Sequence, residues 1–139
     1  MSLSIRNQIP GTVTSVTAGE AMATVRVRLD GGQDLTAAIT LESVEDLGLV
    51  EGSSVRALVK STEVALATGP VGGLSIRNQL PGTVTGVTTG GAMASVRFTV
   101  AGRELTAVIT KDAATDLGLE AGSSVVALMK STEVSLATA

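Results

Sequence analysis

Between Thr24 and Leu29 apolar and polar positions alternate strictly, with Val25, Val27 and Leu29 on one face and Thr24, Arg26 and Arg28 on the other. A period of two predicts a half-buried β-strand. The same alternation returns from Ser95 to Val100, and Leu35, Ala37 and Ile39 form the inward set of a run that follows Gly31-Gly32. Two such runs separated by glycines predict a hairpin. A strand from about Gly11 to Val16 precedes the hairpin, and strands near Ser54 to Lys60 and Val64 to Ala67 follow it. Between the third and fourth strands, Thr40 is placed to cap a short helix over Leu41 to Leu47 that Gly48 closes, and Thr110 and Gly118 take the same places further on. If Val55, Ala57 and Val59 face the core, Leu58 points outward, and so does Leu128; single exposed leucines carry little meaning.

The pattern is written twice. Leu3 to Gln8 recurs as Leu74 to Gln79, Pro10 to Thr14 as Pro81 to Thr85, and Ala21-Met22-Ala23 as Ala92-Met93-Ala94 at constant spacing. Asp30-Gly31-Gly32 then faces the shorter Ala101-Gly102, so one turn residue is missing from the second copy. Beyond it, Asp46 to Leu49 matches Asp116 to Leu119, Gly52 to Val55 matches Gly122 to Val125, and Lys60 to Val64 matches Lys130 to Val134. The expected domains are a first module at 1–68, a Gly- and Pro-bearing linker at 69–73 and a second module at 74–139. Five strands with a helix between the third and fourth outline an OB-type barrel. The predicted fold class is therefore all-β, two tandem OB-like five-stranded barrels.

Composition narrows the chemistry. Apolar residues make up 44% of the chain but aromatics only 1%, so the core must be built from Val, Leu, Ile and Ala around the single ring of Phe98. A net charge of −3 and missing Trp and Tyr remove both the basic footprint and the stacking platforms of a nucleic-acid binder. The absence of Cys and His removes thiolate chemistry, the commonest metal ligands and the usual general base. No apolar stretch approaches membrane-spanning length and no leader pattern opens the chain, so a cytoplasmic protein is expected. Glu42, Glu45 and Asp46 lie on or near the predicted helix, where solvation accounts for them, and no nucleophile elbow or phosphate loop is present. The expectation is a protein that is not an enzyme.

What both copies retain is a set of cations and small polar residues: Ser4, Arg6, Asn7, Thr40, Lys60 and Ser61, with Ser75, Arg77, Asn78, Thr110, Lys130 and Ser131 as counterparts. Elsewhere the copies have drifted, Glu20 to Gly91, Arg28 to Thr99 and Arg56 to Val126. Arg offers a planar fork of donors, Lys a point charge and Ser or Thr an adaptable hydroxyl, which together suit an oxyanion. The same residues would also serve as ordinary surface charges and turn hydroxyls, and the pattern alone leaves both readings open.

Ser4-Ile5-Arg6-Asn7, repeated at Ser75-Ile76-Arg77-Asn78, together with Ala38-Ile39-Thr40 and Val59-Lys60-Ser61-Thr62, resembles the Mop-type molybdate-binding domain of the molbindin family. The resemblance covers essentially the whole chain as a two-module molbindin. It implies an OB-like fold, a homo-oligomer of six modules (a trimer of two-module chains), and molybdate or tungstate held at interfaces between modules. It also implies that Ser4, Arg6, Thr40, Lys60 and Ser61, with Ser75, Arg77, Thr110, Lys130 and Ser131, are the oxyanion-binding residues, that the backbone N–H groups of Ile5 and Ile76 contribute, and that Asn7 and Asn78 are further candidates. Ser43 adds a hydroxyl where the second copy has Ala113, which predicts unequal sites. The expected partner is a small oxyanion, with no nucleic acid and no membrane, and the expected role is storage and homeostasis of molybdate. The alternative is an oxyanion-sensing regulatory module acting through a protein partner, for which two modules filling the chain leave no room for a fused domain.

Overall fold

The computed structural model describes residues 3–139. The first copy contains β1 (Asn7–Ala18), β2 (Met22–Leu29), β3 (Asp34–Thr40), α1 (Leu41–Leu47), β4 (Ser54–Val59) and β5 (Ala65–Ala67). The second repeats them as β6 (Asn78–Thr89), β7 (Met93–Val100), β8 (Arg103–Thr110), α2 (Lys111–Asp116), β9 (Ser124–Met129) and β10 (Ser135–Thr138). A single 3-10 turn precedes each last strand, at Ser61–Glu63 and Ser131–Glu133. Both helices start where the capping threonines predict, but α2 ends one residue early, at Asp116 with Leu117 as its C-cap and the left-handed Gly118 just beyond. Thr40 Oγ1 accepts a hydrogen bond from the Ser43 N–H at 3.1 Å, Thr110 Oγ1 one from Ala113 N–H at 3.1 Å, and Gly48 ends α1 in the left-handed region.

β1 is longer than the alternation suggests and serves two neighbours, pairing antiparallel with β2 along one stretch and with β4 along another. To do so it must bend. Gly11 supplies the bend, because a Cβ there would lie 2.6 Å from the carbonyl oxygen of Arg28 and 2.7 Å from Val27 Cγ1, and the register slips between Val13 and Ser15. Gly82 and the slip between Val84 and Gly86 repeat the device in β6. The two sheets have five strands each and curl into OB-like half-barrels.

The missing turn residue has a local consequence. Asp30, Gly31 and Gly32 form a three-residue loop in which Gly32 has φ 97° and its N–H donates to Leu29 O at 2.8 Å. The second hairpin turns on two residues, Ala101 at φ 50° and Gly102 at φ 82°, the left-handed pair of a type I′ turn. Ala101 is the one described non-glycine residue with positive φ.

The strand order departs from two self-contained barrels. One sheet runs β10-β4-β1-β2-β3 and the other β5-β9-β6-β7-β8, so each copy gives its last strand to the other copy's sheet. Ser135 pairs with Leu58 and Ala137 with Arg56, while Ala65 pairs with Leu128 and Ala67 with Val126. Each 3-10 turn accordingly packs on the other copy, Ser61–Glu63 against β8 and Ser131–Glu133 against β3. Val64 and Val134, buried beside these turns, anchor the crossing strands in a single apolar cluster drawn from both copies around Phe98.

Leu58 and Leu128 differ from expectation, being only 7% and 8% exposed. The outer face of their strand is the inner face of the junction between copies: Leu128 shares a cleft with Val64 and Ala65 of the first copy.

Candidate functional site

The loop that carries Ser4 and Arg6 runs into β1 and is tied down by the two residues that follow it. Gln8 Nε2 donates to Ile5 O at 3.0 Å, and Gln79 Nε2 to Ile76 O at 3.1 Å. Asn7, 2% exposed, reaches the other copy: its Nδ2 donates to Thr106 O at 2.8 Å and its Oδ1 accepts from Thr106 N–H at 2.8 Å. Asn78, 3% exposed, does the same with Thr36 at 2.8 and 2.9 Å. Asn7 and Asn78 thus have both amide groups engaged with backbone, holding each Ser-x-Arg loop against the opposite module.

Ser4, Arg6, Ser75 and Arg77 are exposed beyond those anchors, and Ile5 and Ile76 are half-buried. Lys60 and Lys130 are exposed at the end of β4 and β9, each fixed by a turn in which the Glu63 or Glu133 N–H donates to the lysine carbonyl at 2.9 Å. Ser61 and Ser131 are half-buried in those turns. Because the turns cross, Lys60 and Ser61 belong to the segment that packs on β8, whose end is Thr110, and Lys130 and Ser131 to the one that packs on β3, whose end is Thr40. Crossing therefore sets each copy's serine-bearing turn against the other copy's third strand, and Lys130 shares a cleft with Thr62 and Glu63 of the first copy's turn and with Val108 and Ile109.

A cleft of about 270 Å³ joins Ile76 and Lys130 of the second copy to Thr62, Glu63 and Ala65 of the first. A second, of about 430 Å³, holds Thr40 among Glu20, Glu42 and Glu45. A further cleft, about 520 Å³ between the hairpin tips at Gly31 and Gly102, contains none of the candidate donors. None of these three clefts gathers a full set of candidate donors. Among the described residues, no group of three or more His, Cys, Asp or Glu is placed to hold a metal ion, and no helix is long and apolar enough to cross a membrane.

Sequence reasoning passed over Gln8, Gln79, Thr36 and Thr106. All four recur at equivalent positions, so the repeat itself held the signal. Their roles lie in backbone contacts that a side-chain inventory does not reveal.

Comparisons with known proteins identify the family. A profile of the TOBE domain matches residues 3–66 and again 74–136. The chain is 41% identical to the molybdenum transport protein ModE of Azotobacter vinelandii over 99% of its own length and 51% of that protein's, and 43% identical to the molybdenum-pterin-binding protein MopB of Rhodobacter capsulatus over 96% of its length and 50% of that protein's. It thus spans about half the length of these relatives. Molybdenum-pterin-binding protein 3 of Clostridium pasteurianum matches half of the chain, 44% identical over 48% of it and 97% of the relative. Among solved structures, the cytoplasmic molybdate-binding protein ModG with molybdate bound superposes over 100% of both chains with a TM-score of 0.96 and 40% identity. The resemblance to Mop-type domains is borne out, and the chain belongs to the TOBE-domain family, of which it carries two copies in tandem.

Proposed function

We propose that this protein binds molybdate, or tungstate in its place, reversibly and without catalysing a reaction, and that it stores and buffers the oxyanion in the cytoplasm. The observation that carries the reading is the full-length similarity to ModG, a protein with molybdate bound, in a chain whose two copies retain the same hydroxyl and cation set. Ser4, Arg6, Lys60 and Ser61 with Thr110, and Ser75, Arg77, Lys130 and Ser131 with Thr40 and Ser43, would supply donors to the oxygens, with the Ile5 and Ile76 N–H groups beside them. Hydrogen bonds from charged donors to an oxyanion are about twice as strong as neutral ones. All of them can be exchanged for water, so release needs no bond-breaking step.

The sites are proposed to be completed between chains, in a trimer of six modules. Ligand and assembly would then stabilise each other by mass action. Calorimetric titration with molybdate, tungstate, sulfate and phosphate tests the reading, together with the mass in native solution. Molybdate binding in the micromolar range by a trimer is expected; no heat with molybdate at those concentrations sinks it.

A second reading rests on the similarity to ModE, of which the chain spans 51%: an oxyanion-sensing module that acts through a protein partner. Retention of a partner only in the presence of molybdate would favour it.

A further inference from the structure

The surroundings of Thr40 and Thr110 share one backbone frame. Met22 pairs with Thr40 across β2 and β3 as Met93 pairs with Thr110 across β7 and β8. The N–H of Leu41 donates to Ala21 O at 2.9 Å, and that of Lys111 to Ala92 O at 2.8 Å. Within that frame the charges are opposed. The cleft at Thr40 is lined by Glu20, Ala21, Leu41, Glu42 and Glu45, three carboxylates with no cation. The equivalent residues at Thr110 are Gly91, Ala92, Lys111, Asp112 and Thr115, one carboxylate balanced by one ammonium.

The hydroxyls differ as well. Thr40 Oγ1 donates its proton to Ser43 Oγ at 2.8 Å. Thr110 faces Ala113, which offers no side-chain acceptor, and its Oγ1 is engaged only as the acceptor of the Ala113 N–H. Thr110 thus keeps its own proton for a ligand oxygen, whereas at Thr40 the free proton is that of Ser43, which lies one hydrogen bond further along.

We infer that the two oxyanion sites are electrostatically unequal, the Thr110 site being the tighter, and that Lys111 on one side and Glu20 and Glu45 on the other set the difference. The inference rests on the proposed oxyanion reading and gives it a direction. A dianion at Thr40 meets three like charges within one cleft, and exposed charges act over about 8–10 Å at ordinary ionic strength. At Thr110 the equivalent positions carry one carboxylate, Asp112, and one ammonium, Lys111. The unequal sites would let one chain retain some anion tightly while releasing the rest as the free concentration falls.

The test is calorimetric titration of the full chain with molybdate at low and at physiological ionic strength. The proteins compared are the unaltered chain, Thr40→Ala, Thr110→Ala, Lys111→Leu and the triple variant Glu20→Gly, Leu41→Lys, Glu45→Thr. The unaltered chain should show two classes of site, Thr110→Ala removing the tighter and Thr40→Ala the weaker. Lys111→Leu should weaken the tighter class by about five- to tenfold at low salt and flatten its salt dependence, while the triple variant should bring the weaker class toward the tighter. All the altered residues are exposed except Leu41, which is half-buried, and unchanged thermal unfolding would confirm that each variant folds. A single class of site, or a Lys111→Leu protein with unaltered affinity and salt dependence, overturns the inference while leaving oxyanion binding intact. Absence of molybdate binding by the unaltered chain overturns both.

Discussion

Asn7 in the first copy is bonded to Thr106 in the second as one strand is to another, through a donor and an acceptor at 2.8 Å each across 99 residues of chain. Asn78 and Thr36 form the matching pair. An amide can do this because its two polar atoms copy the geometry of a peptide group. Truncation would strand a half-buried N–H and C=O on the opposite strand, each costing about 1–3 kcal/mol if left unpaired and shielded from water. Asn7→Ala and Asn78→Ala should each destabilise the protein by about 2–4 kcal/mol in denaturant unfolding. Asn7→Asp should be no better, since it loses the donor and buries a carboxylate. Losses below about 0.5 kcal/mol in both alanine variants would show that the pairs contribute little.

The hairpin tips test the contact between copies more locally. A methyl added at Gly31 would overlap that of Ala101 and lie 2.9 Å from Gln33 Oε1. Gly31→Ala should cost about 1–3 kcal/mol, as overpacking usually does. Ala101→Gly removes the opposing methyl and relieves its left-handed φ of 50°. The double variant should therefore recover much of the loss, a coupling of about 1 kcal/mol or more in a double-mutant cycle. Simple additivity would mean that the two tips do not meet in solution.

Much of the framework is legible in the sequence because it is set by short-range rules. Alternation from Thr24 to Leu29 marks β2, and the pairs Thr40 with Gly48 and Thr110 with Gly118 mark both helices. The exchange of last strands is not legible. Ala65–Ala67 and Ser135–Thr138 are short and similar, so either would extend either sheet; the choice is made by the 3-10 turns that carry each chain onto the opposite module. Burial of Leu58 and Leu128 follows from the same crossing and was hidden with it. In the candidate site, recurrence picks out Ser4, Arg6 and Lys60, but the partners of Asn7 and Asn78 lie on distant strands, and no local pattern names them.

Strand exchange can be read by cross-linking, since the chain contains no cysteine to confuse the result. Arg56 and Ala137 are direct partners on β4 and β10, whereas Ala67 pairs with Val126 on the other sheet. Arg56→Cys with Ala137→Cys should close a disulfide on mild oxidation, because directly opposed residues fall within disulfide range. Arg56→Cys with Ala67→Cys, the partners of an unexchanged fold, should stay reduced within one chain. Mass spectrometry under non-reducing conditions distinguishes them, and the reverse outcome would mean that each copy keeps its own last strand.

Arg28 and Asp34 face one another across the first hairpin, with Nε and Oδ1 2.6 Å apart and both side chains about half exposed. The hydrogen bond from Arg28, reinforced by its charge, holds the Asp34 carboxyl below the usual carboxylate range. A carboxyl whose pKa is lower in the folded state stabilises fully above its unfolded value, about 3.9, and loses that contribution as pH falls through the folded value. Asp34→Asn should therefore lower stability slightly at neutral pH, and the gap to the unaltered protein should close below about pH 4. Because the pair is exposed, added salt should shrink the gap too. A gap that widens on acidification contradicts the assignment.

Arg6 and Lys60 offer the most direct reading of the binding proposal, because each is exposed in the single chain and neither appears in a side-chain hydrogen bond or ion pair among the described residues. Removing either should leave the fold intact, so any loss of affinity belongs to the ligand. A charge-assisted bond to an oxyanion contributes about 1.5–3 kcal/mol, and Arg6→Ala and Lys60→Ala should each weaken molybdate binding by roughly ten- to a hundredfold with little change in thermal unfolding of the ligand-free protein. Arg6→Lys keeps the charge but loses the planar fork, so it should fall between the two. If both alanine variants bind molybdate like the unaltered chain, these residues are surface charges, and the anion must be held by the hydroxyls and backbone alone.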